Sequence, residues 1–72
     1  MNTVTITPEY LKLQDLLKLA GAVDTGGEAK LAVQSGEASV NGAVCTQRGK
    51  KLRGGDRVSF RGSEYTIAYA DQ

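Results

Sequence analysis

Between Arg48 and Arg61 the chain sets six cations, Arg48, Lys50, Lys51, Arg53, Arg57 and Arg61, against one acid, Asp56, a local charge of +5. The remaining residues hold three cations and seven acids, a charge of −4, so the whole-chain value of +1 conceals a division. Such segregation points to a polyanionic partner more than the net value does. In Arg48-Gly49-Lys50-Lys51-Leu52-Arg53-Gly54-Gly55 the glycines leave backbone N–H groups uncovered, and these bind phosphate oxygens alongside Lys and Arg. The plain alternative is a solvated loop. A second anion candidate is Gly26-Gly27, after Thr25 and with Lys30 one turn onward, where a helix start would present free N–H groups. A tight turn between helices accounts for those glycines equally well. Neither segment has the spacing of a nucleotide-binding glycine loop.

Residue types argue against catalysis. The chain has no histidine, the usual acid, base and metal ligand near neutral pH. Cys45 is the single cysteine and cannot build a thiolate-rich zinc site or an internal disulfide. In Ala43-Val44-Cys45 it reads as a small hydrophobe on a strand. The acids are scattered, and Glu28 and Asp56 have structural roles in prospect. No metal, cofactor or small-molecule substrate is expected. Phe60 and the three tyrosines are expected in the core, which leaves no base-stacking platform. Contacts would then go to phosphates and sugars, which suits structured RNA read by shape.

Seventy-two residues support one thin core and leave no room for a deep cleft. No apolar run approaches the roughly 20 residues of a membrane span. Met1 to Pro8 shows no basic-then-apolar leader pattern, and disulfides are not available, so a cytoplasmic protein is expected. Val4 and Ile6 alternate with threonines as in a half-buried strand. Thr7-Pro8 reads as a helix start, with Leu13, Leu16, Leu17 and Ala20 at helical spacing, so a helix is expected from about Pro8 to Ala20. Thr25-Gly26-Gly27-Glu28 fits a capping box for a second helix that Gly36 ends. Asn41-Gly42 between apolar arms is a hairpin signal. Arg57 to Phe60 and Tyr65 to Tyr69 alternate as strands, with a turn between them. The fold class expected is α+β, two packed helices against a small, mainly antiparallel sheet.

Four pieces carry a family likeness: Leu16-Leu17-Lys18-Leu19-Ala20-Gly21, Gly27-Glu28-Ala29-Lys30, Gly36-Glu37-Ala38-Ser39-Val40-Asn41-Gly42, and Gly55-Asp56-Arg57-Val58. In this order they resemble the RNA-binding domain of ribosomal protein S four, the alpha-L motif, over about residues 9 to 60. The chain is most similar to small stand-alone bacterial members, which implies a single such domain over residues 1–72. The resemblance implies a non-catalytic, ribosome-associated protein that binds structured RNA, ribosomal RNA above all, as a monomer. By position it points to Thr25, Lys30, Arg48, Lys50, Lys51 and Arg53, to which the helix start adds Gly26 and Gly27. Many family members have Arg where this chain has Gly26, and Lys50-Lys51 are expected to supply the missing charge. Lys12 and Lys18 are expected to lie away from this surface. The competing reading is a protein-interaction module whose basic loop meets an acidic partner.

Overall fold

The computed structural model describes residues 2–7 and 9–70. Strand β1 (Asn2–Ile6) is followed by a short strand β2 (Leu11–Lys12), helix α1 (Leu13–Leu19) and helix α2 (Gly26–Gln34). Strands β3 (Ala38–Val40), β4 (Ala43–Val44), β5 (Lys51–Leu52), β6 (Arg57–Phe60) and β7 (Ser63–Tyr69) complete the chain. Five strands form one sheet in the order β1-β7-β6-β3-β4. Only its β1–β7 pair is parallel, so the expected mainly antiparallel sheet with two helices is what forms. Strands β2 and β5 make a separate antiparallel ribbon, with Leu11 opposite Leu52 and Lys12 opposite Lys51.

The alternation seen in the sequence is realised on the sheet. Val40, Val58, Phe60, Tyr65 and Ile67 turn inward and meet Leu13, Leu16 and Leu17 of α1 and Ala29, Ala32 and Val33 of α2. Leu52 on the ribbon is also fully buried, so the basic segment is pinned to the core by its one apolar side chain. No helix among the described residues is long and apolar enough to cross a membrane.

Helix α1 begins later than its spacing suggests. Tyr10, Leu11 and Lys12 are not helical, and Pro8, expected at the first helical position, lies outside the described residues. Lys12 is extended (φ −74°, ψ 147°) and offers no side-chain cap. The competing structure is the ribbon. It pairs Leu11 with Leu52, and the Leu13 and Gln14 N–H groups donate to the Lys50 and Arg48 carbonyls (2.9 and 3.0 Å). Those N–H groups would otherwise be unpaired at a helix start, so tertiary pairing overrides the helical period. Both helices then stop on glycine. After α1, Gly21 (φ 75°) donates to Lys18 O and Ala22 to Leu17 O; after α2, Gly36 (φ 82°) donates to Val33 O and Glu37 to Ala32 O. These are paired Schellman closures, which need a left-handed residue at the step after the cap.

Candidate nucleic-acid interface

The α2 start is capped by Thr25, whose hydroxyl accepts from the Glu28 N–H at 3.1 Å. The other half of the expected capping box differs. The Glu28 carboxylate reaches the Asp24 N–H (3.1 Å), one residue earlier than Thr25, and its second oxygen faces Arg61 Nη1 at 3.4 Å. Gly26 and Gly27 are exposed first-turn residues and Lys30 is exposed one turn on. Lys18 arrives at the same end: its Nζ lies 3.9 Å from where a Cβ on Gly26 would be. A cation from α1 thus stands beside Gly26. The expectation that Lys18 lies away from this region is not met.

The basic segment is held by its backbone and leaves its charges outward. Arg48 and Gly49 form a turn closed by Lys50 N–H to Gln47 O (3.1 Å), and the Arg48 and Lys50 carbonyls dock on the first turn of α1. Arg48, Lys50, Lys51 and Arg53 are all exposed. Among the described residues none of the four forms an ion pair, since the only salt bridges involve Arg61. Lys12, opposite Lys51 on the ribbon, adds a fifth cation, so it too belongs to this region and not outside it.

Two residues, Asn41 and Asp56, hold the segment in place. Asn41 starts the β3–β4 hairpin with φ 52°, followed by Gly42 at φ 88°, as a two-residue turn with both angles positive requires. Its side chain does more. Asn41 Nδ2 donates to Asp56 Oδ1 (3.1 Å), and Asn41 Oδ1 accepts from the Arg57 N–H (2.9 Å). Asp56 Oδ2 in turn accepts from the Arg53 N–H at 2.8 Å. The pair links the hairpin tip to the turn that carries Arg53. Asn41-Gly42 marks its own hairpin locally, but its contact with Asp56 across 15 residues has no local signal. Between hairpin and loop lies an open groove of about 390 Å³, bordered by Asn41, Val44, Cys45, Gln47 and Lys50. Cys45 is half-buried against the core, and its Sγ sits 3.7 Å from Gln47 O.

The charge division seen in the sequence changes in space. Arg61 does not join the basic loop. Its guanidinium contacts Glu37 Oε1 from Nε (2.6 Å) and Glu28 Oε2 from Nη1 (3.4 Å), and it lies over the Phe60 ring at 4.8 Å from the centroid. The hydrogen bond from Arg61 holds the Glu37 carboxyl below its usual value, and the same contact raises Arg61. The structure therefore brings Arg48, Lys50, Lys51 and Arg53 together with Lys12 at the start of α1. It gathers Thr25, Gly26, Gly27 and Lys18 at the far end of that helix. Seven residues of α1 separate the two groups by about 10 Å. Among the described residues no cluster of three or more metal-ligating side chains occurs.

The sequence and the fold have counterparts. The S4 domain family model matches residues 4–68, and the chain belongs to that family. It is 43% identical over 58 residues to the Escherichia coli protein named "Putative RNA-binding protein YbcJ", covering 81% of this chain and 83% of that one. It is 38% identical over 61 residues to the Bacillus subtilis protein named "Probable ribosome maturation protein RlbA", covering 85% and 86%. The solution structure of Escherichia coli YbcJ, described as an alpha-L motif involved in RNA binding, superposes with a TM-score of 0.73 at 36% identity. It covers 94% of this chain and 87% of that one.

Proposed function

We propose that this chain is a non-catalytic RNA-binding protein, a single S4 domain over residues 1–72. It recognises structured RNA, ribosomal RNA in particular, as a cytoplasmic monomer. The observation that carries this reading is the ribbon of exposed cations, Arg48, Lys50, Lys51 and Arg53, which form no ion pair among the described residues and are fixed through their backbone on an alpha-L fold. The names of the similar proteins, one for RNA binding and one for ribosome maturation, support it. Phosphates are the groups such cations meet, since Lys offers a mobile point charge and Arg a forked donor. The α2 start, with Thr25, Gly26, Gly27 and Lys30, would take a further phosphate of the same strand, helped by Lys18.

The test is a titration of the protein with a ribosomal RNA fragment at several salt concentrations. Affinity should fall linearly in a log–log salt plot through counterion release. Changing Lys50 and Lys51 together to Ala should weaken every RNA ligand by a similar factor and make the slope shallower by about 2. The fold should persist, because both side chains are exposed. Equal affinity and slope for the two proteins would remove the ribbon from the interface. No RNA binding by the wild type at low salt would leave the acidic-partner reading in its place.

A further inference from the structure

The aromatic side chains divide into two groups, contrary to the expectation that all four fill the core. Phe60 and Tyr65 are buried, whereas Tyr10 is 36% and Tyr69 51% exposed. Tyr10 borders the cationic ribbon with its ring, and Tyr69 with its backbone and Cβ. The Lys51 ammonium lies over the Tyr10 ring, 4.8 Å from its centroid. Tyr69 abuts the turn after Arg53, so closely that a Cβ on Gly54 would lie 2.9 Å from Tyr69 Cβ and 3.3 Å from its backbone nitrogen. The contacts fall on Lys51 and Gly54, with only Leu52 and Arg53 between them, and Leu52 is buried.

A surface that bound only phosphates would have no need of aromatic faces among its cations. Cations that follow the backbone, beside exposed rings that take bases, are how proteins hold unpaired nucleotides. Resting on the RNA-binding reading above, we propose that Tyr10 stacks an unpaired base of the bound RNA. Lys51 occupies the Tyr10 face in the free protein. An exposed cation–ring contact is weaker than base stacking, and the flexible lysine stem allows its ammonium to move to the adjoining phosphate when the base arrives. The ligand class is a structured RNA with a bulged or looped nucleotide, as opposed to an uninterrupted duplex.

The experiment compares a stem-loop RNA having an unpaired loop with a blunt duplex of the same nucleotide count, against wild type, Tyr10→Leu and Tyr10→Phe. Tyr10→Leu should lose about tenfold in affinity for the stem-loop while holding its duplex affinity and salt slope, and Tyr10→Phe should bind as wild type does. Tyrosine fluorescence gives a readout independent of any variant, because the chain has no tryptophan and three tyrosines. The stem-loop should quench it more than the duplex does. Equal quenching by both RNAs, or an equal loss on both for Tyr10→Leu, overturns the stacking site. If the Lys50/Lys51 change still lowers the salt slope in that case, the phosphate reading stands without it. Failure of wild type to bind either RNA overturns both.

Discussion

Arg53 and Arg61 lie eight residues apart, each followed by glycine, and each has an acid nearby. Their situations are opposite. Around Arg61, the acids Glu37 and Glu28 meet the guanidinium itself, and its charge is compensated between α2 and the β6–β7 hairpin. Around Arg53, the near acid is Asp56, whose two oxygens accept from the Arg53 backbone N–H and from Asn41 Nδ2. The carboxylate thus positions the Arg53 backbone, and among the described residues no acid meets its guanidinium. Two arginines that contribute equally to a charge sum do different work, because what matters is which atoms the neighbouring acids' lone pairs face. One arginine fastens elements together; the other is presented to solvent on a braced turn.

The bracing of Arg53 can be broken without touching a charge. Gly54→Ala places a Cβ 2.9 Å from Tyr69 Cβ, and neither atom is the far end of a flexible side chain, so the turn and β7 must separate. Overpacking of this kind costs about 2 kcal/mol. In a domain of this size that is a fall in Tm of roughly 10 °C. RNA affinity should fall with it, because Arg53 loses its backing. A thermal melt of Gly54→Ala that overlays the wild type would mean that the turn is not braced by Tyr69.

A smaller effect is expected at the Arg61 side. Thr25→Ala removes the hydroxyl that accepts from the Glu28 N–H, and such caps contribute about 1 kcal/mol. The first turn of α2 carries Glu28, which divides its carboxylate between Asp24 and Arg61, so fraying there loosens the compensated corner as well. Urea unfolding should show a lower midpoint with an unaltered slope. An unchanged midpoint would show that the cap is dispensable.

What the sequence disclosed and what it hid divide along the same line, local against distant. The Thr25 cap, the Gly36 stop and the Asn41-Gly42 hairpin were legible because each is decided within a few residues. The start of α1 was not, because Tyr10 has helical spacing and only pairing of Leu11 and Lys12 with Leu52 and Lys51 draws the chain into a ribbon. Arg61 reads with the basic loop in sequence because its partners are 24 and 33 residues away. Lys12 and Lys18 read as apart from the loop and the α2 start for the same reason: nothing near them in sequence shows what they approach. All three tyrosines sit in sequence where a small core would take them, and only the packing separates Tyr65 from Tyr10 and Tyr69.

The smallest expected effect tests the compensated corner by pH. The Arg61 hydrogen bond lowers the Glu37 carboxyl from its usual 4.5 in the folded protein, while the unfolded chain keeps the usual value. Folding therefore favours the ionised form. The stability this contributes is present above pH 4.5 and is lost as pH falls through the folded-state value below it. Both partners are solvent-exposed, so the contribution is small and screened by salt. Glu37→Gln should have a urea midpoint slightly below that of wild type at neutral pH and low salt. The gap should close at acid pH and at high salt. RNA affinity and its salt slope should stay at the wild-type level, since Glu28 still meets Arg61 and neither Glu37 nor Arg61 is among the proposed phosphate contacts. A midpoint difference constant from pH 7 to pH 3 would show that the pair is not electrostatic in origin. A salt slope that steepens in Glu37→Gln would show that Arg61, once released, reaches the RNA, and the two arginines would then differ only in how tightly their acids hold them.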